Sequence, residues 1–344
     1  MEKGKRKAVT MDDIAQKLGV SKNAVSLALG NKPGVSEELR EKVYAAARRM
    51  HYRMPGDKSG VSVCLAVLVP EYIRDDGSFY SDIFWAIEHE AHIQGYMTLT
   101  VGLSKQAEQE RTLPNFPEGL EIQGYLAVGI ISREYLQCLL AAGLPVVCVD
   151  ICNEEVPASC VTADNVYGGY LATRYLLENG HRQIGFAGPV YSARSVFERW
   201  SGYQEALYEY GVPLREQFSI LGRQDGFELL DDAAILGRYL EKIPAMPTAW
   251  FCAGDMIAVS MVKLLTERGI RVPQEVSVMG FDDLKIAEII SPPLTTIHVD
   301  RKMMGRYAVH QLLRQIFPDD LDTHLRLSLP CALMVRQSVA RISG

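Results

Sequence analysis

The sequence predicts a small all-α domain followed by an α/β body of two doubly wound parallel-sheet lobes. The chain of 344 residues is long enough for more than one domain of ordinary size. In residues 1–60, apolar residues recur with helical spacing between polar capping residues. From residue 61 onwards, short apolar runs alternate with helical stretches, a pattern typical of parallel sheets covered by helices.

Charge is divided between the same two parts of the chain. Residues 1–60 contain 13 Lys and Arg and 7 Asp and Glu, a net charge of +6. The whole chain contains 36 basic and 42 acidic residues, so the remainder holds 23 and 35, a net charge of −12. A polyanion is therefore attracted to the first part and repelled by the second.

Features that are missing from the sequence disfavour several classes of protein. No apolar run approaches the roughly 20 residues that span a bilayer, and no signal segment follows the basic start, so we expect a cytoplasmic protein without membrane contact. In His89-Glu90-Ala91-His92 the histidines are three residues apart rather than the four of a zinc protease, so we expect a solvated helix face there. We find no phosphate loop, nucleophile elbow or dinucleotide fingerprint, and we expect no enzymatic activity, metal or cofactor.

Three short helices are predicted in the first part of the chain. They cover residues 11–18, 22–29 and 36–50, and Thr10, Ser21 and Ser36 are suited to cap their amino ends. Gly19 suits a left-handed helix end, so a tight turn joins the first two helices. This arrangement predicts a helix-turn-helix DNA-binding domain, whose second helix enters the major groove.

The predicted second helix exposes polar residues suited to reading bases. We predict DNA contacts from seven residues on and beside it: Thr10, Ser21, Lys22, Asn23, Ser26, Leu27 and Asn31. Asn pairs with adenine, Lys donates to guanine, and Leu contacts a thymine methyl group. The alternative is a small three-helix bundle whose polar face meets only solvent.

The body shows alternating strands and helices. Strands are predicted at residues 63–69, 96–101, 124–130, 146–150, 184–187, 249–252 and 276–280. Helices are predicted at residues 80–94, 167–179, 195–210, 226–242 and 255–268. Two lobes of this kind would leave a cleft for a small ligand between them.

Many segments resemble the lac/galactose repressor family of bacterial transcription regulators. Examples are Val9-Thr10-Met11-Asp12-Asp13-Ile14-Ala15, Gly19-Val20-Ser21, Asp164-Asn165, Gly280-Phe281-Asp282-Asp283 and Pro293-Leu294-Thr295-Thr296-Ile297. The similarity extends over essentially the whole chain. It implies a DNA-binding domain at 1–53, a linker at 54–60 and a periplasmic-binding-protein-like body at 61–344. The implied lobes are 61–163 with 292–320 and 164–291 with 321–344.

The linker departs from the pattern of that family, in which a hinge helix inserts a leucine into the minor groove. Pro55, Gly56 and Gly60 disfavour a helix, and residues 54–60 contain no leucine. We therefore expect a non-helical linker that does not wedge into DNA. Leu27 is a second departure, because the family commonly has an arginine there.

The resemblance also implies a ligand site at strand ends, with five effector-binding residues: Phe79, Tyr80, Asp150, Arg199 and Asp282. Arg199 would grip paired oxygens, and Asp282 would accept hydrogen bonds from sugar hydroxyls. The alternatives are a structural Arg199–Asp282 ion pair and ordinary core packing of the two aromatic residues. Gly254 stands where an asparagine is common, and Asp255 is expected to cap its helix.

These observations predict a homodimeric, ligand-responsive repressor that binds double-stranded operator DNA and a sugar-like effector. Two alternatives remain open. One is a soluble binding protein of transport or chemotaxis type, and the other is the same regulator responding to a purine or nucleoside.

Overall fold

The computed structural model describes residues 9–30, 32–49, 62–71, 73, 79–223, 230–317 and 324–342. The predicted linker 54–60 and the predicted DNA contact Asn31 lie outside these residues. Among the described helices, none is both long and apolar enough to cross a lipid bilayer.

The first part of the chain, called the head, forms three helices. They are α1 (Met11–Leu18), α2 (Lys22–Leu29) and α3 (Glu37–Arg49). Thr10 caps α1 in a capping box with Asp13, and Gly19 ends α1 with a φ of 65°. The apolar faces of all three helices meet in one small core, which includes Ile14, Val25 and Val43. The helix-turn-helix prediction is confirmed.

The remainder of the chain, called the body, alternates strands with helices. Its strands are β1 (Ser62–Pro70), β2 (Met97–Leu103), β3 (Leu120–Val128), β4 (Val146–Val149), β5 (Ser159–Ala163), β6 (Ile184–Ala187), β7 (Ala249–Cys252), β8 (Ser277–Met279), β9 (Thr296–His298), β10 (Arg326–Leu329) and β11 (Ala332–Met334). Its helices are α4 (Phe79–Ile93), α5 (Lys105–Glu110), α6 (Arg133–Ala141), α7 (Asn165–Glu178), α8 (Arg194–Glu209), α9 (Ala233–Leu240), α10 (Asp255–Glu267), α11 (Lys285–Ile289) and α12 (Arg301–Ile316).

Two parallel sheets organise the body. The first sheet has the order β10-β5-β4-β3-β1-β2, and the second has the order β6-β7-β8. Every pairing within these sheets is parallel, and β9 with β11 forms a separate antiparallel pair. Buried strands such as β4 and β7 are apolar throughout, because helices cover both faces of a parallel sheet. The α/β prediction with parallel sheets is confirmed.

The chain crosses between the sheets later than the expected positions 292 and 320. β9 pairs with β11 and is tied to β8 through a Met279–Thr295 bridge, so residues 295–298 stay with the second sheet. The return crossing therefore lies just before α12, which packs on β3, β4 and β5. β10 then adds to β5, so the last crossing lies between β10 and β11. These strands of three or four residues are too short to give a periodic signal.

Several elements were not predicted from the sequence. They include α6, α12 and β5, and β5 is a buried strand between β4 and β10 despite its Ser, Cys and Thr residues. α9 begins at Ala233 after an Asp232 cap, whereas the expected start at 226 lies outside the described residues. Their positions depend on neighbouring strands rather than on local periodicity.

Candidate DNA-binding surface and ligand cleft

The outward face of α2 carries most of the predicted DNA contacts. The opposite face of α2 packs into the head core through Val25 and Ala28, which are three residues apart. The outward residues are therefore exposed: Ser21, Lys22, Asn23 and Ser26. The Ser21 hydroxyl accepts the Ala24 amide at 3.1 Å, so it caps α2. Leu27 is half-buried, and a Cβ at Gly34 would lie 3.4 Å from its side chain.

Two predicted contact residues also hold the head together. Lys22 Nζ lies 2.6 Å from Asp12 Oδ2, and this ion pair is exposed. The Thr10 hydroxyl donates to Asp13 Oδ2 at 2.7 Å. A DNA phosphate would compete for Lys22 with an exposed aspartate, whose pairing energy is small.

Arg40, which the sequence analysis did not assign to the site, fixes the end of α2. Its guanidinium donates to the carbonyl oxygens of Ala28 at 3.3 Å and Lys32 at 3.1 Å. The Tyr44 hydroxyl donates to the Leu29 carbonyl at 3.4 Å. These bonds satisfy carbonyls that the helix end leaves without partners. The sequence pattern that could have indicated this role is an arginine in the first turn of the third helix.

The five predicted effector residues all line one cleft between the two sheets. Phe79 and Tyr80 begin α4, Asp150 follows β4, Arg199 lies in α8, and Asp282 follows β8. This part of the cleft has a volume of about 260 Å³. Since carboxyl ends of parallel strands share one sheet edge, ligands of open α/β proteins bind there. The geometry brings these residues together, and their contact with a ligand stays a prediction.

Arg199 is buried and held on every side. Its Nε donates to Asn165 Oδ1 at 2.9 Å, and Nη1 donates to the Ala253 carbonyl. Its Nη2 lies 3.2 Å from Asp282 Oδ1, and the guanidinium carbon lies 3.8 Å from the centre of the Phe281 ring. Arg199 and Asp282 therefore form the structural ion pair that the sequence analysis gave as the alternative, at the wall of the cleft.

Asp150 occupies an unusual backbone and electrostatic position. Its φ is 62°, a left-handed conformation that Asp tolerates better than most residues. Its Oδ2 accepts a hydrogen bond from the Tyr80 hydroxyl at 2.9 Å. Burial raises the pKa of Asp150 to about 6, although the positive charge of Arg199 and the Tyr80 bond oppose this shift.

Arg301 positions both walls of the cleft and was not predicted. It donates to the backbone carbonyl of Asp282 and to Asp82 Oδ2, the latter at 3.1 Å. Its guanidinium carbon also lies 5.7 Å from the centre of the Phe79 ring. Because Asp82 and Phe79 lie in α4, this one side chain links α12, α4 and the loop after β8.

The expected helix cap at Asp255 is wrong. Gly254 occupies the capping position, and Asp255 is fully buried. Its carboxylate accepts the Thr296 hydroxyl at 2.6 Å and the Leu284 amide at 2.7 Å, so it ties α10 to β9 and α11. Burial and the nearby Asp282 charge raise the pKa of Asp255 to about 7. A Cβ at Gly254 would lie 3.3 Å from Asp282 Oδ2, so this residue faces the cleft.

The expected solvated face at 89–92 is only partly correct. His89 and His92 are exposed, whereas Glu90 is buried at 5% exposure. Glu90 lies 3.4 Å from Arg306 and 3.1 Å from His310 in α12. The motif therefore serves the packing of α4 against α12, a pairing that helical spacing within α4 does not reveal.

Comparison with protein families matches both parts of the chain. The family described as bacterial regulatory proteins, lacI family, matches residues 10–54, and the periplasmic binding protein-like domain matches residues 173–339. The HTH-type transcriptional repressor PurR of Vibrio atlanticus (strain LGP32) is 31% identical over 317 residues, covering 90% of this chain and 93% of the relative.

Solved structures agree with this assignment. The transcriptional regulator CelR in complex with cellobiose has a TM-score of 0.70 and 26% identity, covering 96% of this chain and 99% of that chain. The lac repressor dimer bound to operator and the anti-inducer ONPF has the same fold, with a TM-score of 0.67, 24% identity, and 97% and 100% of the two chains covered.

The chain belongs to the lacI family of bacterial regulatory proteins and is a DNA-binding transcription repressor of that family. The family consists of transcription regulators rather than enzymes. The alternative of a transport-type binding protein is therefore set aside.

Proposed function

We propose that this repressor binds a pseudo-palindromic operator as a homodimer, under the control of a small hydroxylated, sugar-like ligand held in the cleft. One observation carries the ligand part of this proposal. Five side chains, from Phe79 to Asp282, reach one cleft from distant points in the chain. Such convergence of polar groups in a concave site is typical of ligand pockets.

The chemistry of the cleft favours a ligand with several hydroxyl groups. Asp150 and Asp282 offer carboxylate oxygens, which accept hydrogen bonds from hydroxyls. The Phe79 and Tyr80 rings meet edge to face, with centroids 5.0 Å apart, and form an apolar wall against which a sugar ring can pack. The neighbouring CelR structure, which contains cellobiose, supports this choice.

A purine or nucleoside is the second candidate. Relatives named PurR cover nearly the whole chain, and this similarity favours a purine-responsive repressor. The same aromatic wall would stack on a flat base. In either case the ligand shifts operator affinity only by its different affinity for the two forms of the repressor.

A thermal-shift screen of the full-length protein would test the proposal, using sugars, sugar phosphates, nucleosides and purine bases. A ligand of the folded state raises the melting temperature by mass action. Each hit is then added to a fluorescence-anisotropy titration of operator DNA. We expect a neutral sugar or an amino sugar both to stabilise the body and to change operator affinity. Stabilisation only by purines would establish the second candidate, and a screen without any hit would overturn ligand control by these classes.

A further inference from the structure

The cleft continues past Asp150 into a second chamber. This chamber has a volume of about 390 Å³ and is lined by residues after β4 and at the start of α8. Four residues line both chambers: Ile130, Asp150, Ala193 and Ser195. Asp150 therefore lies where the two chambers meet, and a ligand in either one passes close to its carboxylate.

The lining of the two chambers is strongly acidic. Six carboxylates line them: Asp150, Glu154, Glu155, Glu198, Asp231 and Asp282. Two arginines, Arg194 and Arg199, are the basic residues among the described lining, which leaves a formal charge of −4. A lining of this sign attracts cations and repels anions such as phosphate esters.

Both arginines are already paired. Arg194 donates to Glu198 at 2.8 Å and to Glu154 at 2.9 Å, and Arg199 pairs with Asp282. Glu155 pairs with Arg133 outside the cleft.

Asp150 differs from Glu198 and Asp282, which both lie in ion pairs. Its Oδ2 accepts the Tyr80 hydroxyl, but within the described part of the chain no donor bonds to its Oδ1. No cation forms an ion pair with it in the same part of the chain. A desolvated carboxylate that forms no ion pair is costly, so a positive group brought by a ligand would be attracted to it, although the charge of Arg199 opposes this attraction.

We propose that the controlling ligand carries a protonated amine beside its hydroxyl groups, and that this amine pairs with Asp150. The inference rests on the proposed function and narrows its ligand class. The ring would lie against Phe79 and Tyr80 in the smaller chamber, and the amine would point to the junction. The negative charges of Glu198 and Asp282 also act at Asp150 and would add to the attraction.

The titration of Asp150 gives this pairing a pH dependence. Its pKa of about 6 reflects burial and the negative charges of Asp282 and Glu198, opposed by Arg199 and the Tyr80 bond. A bound ammonium group would lower that pKa, because it favours the ionised carboxylate. Affinity for the amine should therefore fall as the pH drops below about 6.

Isothermal titration of the full-length protein at pH 7 with matched probes tests the proposal. The matched pairs are glucosamine with glucose and galactosamine with galactose. N-acetylglucosamine is a neutral control and glucose 6-phosphate an anionic control, both with a glucose-type ring. We expect at least one amino sugar to bind ten-fold or more tightly than its neutral partner, and the phosphate to bind worst. Asp150→Asn keeps the left-handed backbone and the Tyr80 bond, and should reduce the amine preference to less than about three-fold. The matched control Glu267→Gln removes an exposed, paired carboxylate of α10 that lines neither chamber, and should leave the preference unchanged.

The outcomes separate this inference from the proposed function. If neutral sugars or purines bind as well as or better than the amino sugars, the amine inference is overturned and ligand control stands. An amine preference that survives in Asp150→Asn also overturns it. If no probe, sugar, amino sugar or purine changes the melting temperature or operator affinity, both proposals fall.

Discussion

The head and the cleft build their sites in opposite ways. Four predicted contact residues of the head, Ser21, Lys22, Asn23 and Ser26, lie within six consecutive positions on one helix and its cap. The cleft residues are separated by as many as 203 positions, from Phe79 to Asp282, and lie on four different elements. In the head, exposure follows from helical spacing around Val25 and Ala28. In the cleft, Asp150 and Asp282 reach the site because the parallel strands that they follow end at the same edge, and the other three residues reach it from α4 and α8.

Because of this difference, we expect the two sites to respond differently to mutation. Exposed side chains of α2 such as Asn23 and Ser26 do not pack in the head core, so their loss should affect function with little effect on stability. Cleft residues such as Arg199 are buried among the groups they orient, so their loss should affect both. All three tryptophans, Trp85, Trp200 and Trp250, lie in the body, and their fluorescence reports the unfolding of the body alone.

The largest effect is expected for Arg199→Ala. Removing the guanidinium takes away the cation that pairs with Asp282 and the donor to Asn165 Oδ1, and breaking a buried ion pair costs about 3–5 kcal/mol. Denaturant unfolding followed by tryptophan fluorescence should show this loss, together with loss of any ligand-induced stabilisation. Arg194→Ala is the matched control, because its ion pairs are half-exposed and should contribute at most about 1 kcal/mol. Equal losses in the two variants would show that Arg199 is not the anchor of the cleft.

A smaller effect, confined to DNA binding, is expected for Asn23→Ala. Asn23 is exposed at the start of α2, and loss of a base contact costs about 1–3 kcal/mol of operator affinity. Anisotropy titrations should show this loss on operator and little change on random DNA, with body unfolding unchanged. Lys263→Ala, an exposed change in α10 of the body, should alter neither. If Asn23→Ala weakens both DNAs equally, the residue contacts the backbone and not a base.

The smallest effect is expected for Asp255→Asn at pH 5. In the folded protein the pKa of Asp255 is raised to about 7, so its carboxyl is protonated at pH 5. The side-chain amide of the variant can replace this protonated carboxyl, because it can donate to the Thr296 hydroxyl and accept from the Leu284 backbone amide. The folded state holds this proton while the unfolded chain loses it near pH 4, so the contribution of Asp255 to stability falls as the pH rises from about 4 to about 7. Unfolding should be followed by tryptophan fluorescence across this pH range. At pH 8 the free energy of unfolding of the variant should equal or exceed that of the wild type. A constant difference at every pH would show that Asp255 does not titrate there.

Much of the head was predictable because its signals are local. Thr10, Gly19 and Ser21 mark helix ends by their own backbone preferences, and the structure places helix ends at all three. The central strands of the body were predictable for a similar reason, since a strand buried on both faces must be apolar throughout. Resemblance, rather than spacing, drew attention to the five cleft residues.

The remaining features depended on contacts that no local pattern records. Asp255 resembles a helix cap in sequence, yet Thr296 and Leu284 approach it from other elements and bury it. Glu90 has the spacing of an exposed residue, but α12 covers it with Arg306 and His310. The crossing between β10 and β11 was placed too early, because strands of four and three residues gain their stability from their neighbours.

The two-part organisation, the segregation of charge and the exposed face of α2 could all be predicted from the amino-acid sequence. These properties follow from composition, capping and periodicity, which act over a few residues at a time. Which charged groups pair with each other and which line the cleft depends on the folded structure, because their partners come from distant parts of the chain. Arg194 and Arg199 both lie in ion pairs within the protein, whereas Asp150 lines both chambers of the cleft and forms no ion pair in the described part of the chain. The physical reason is that burial and pairing are set by distances between elements, and those distances exist only once the chain has folded.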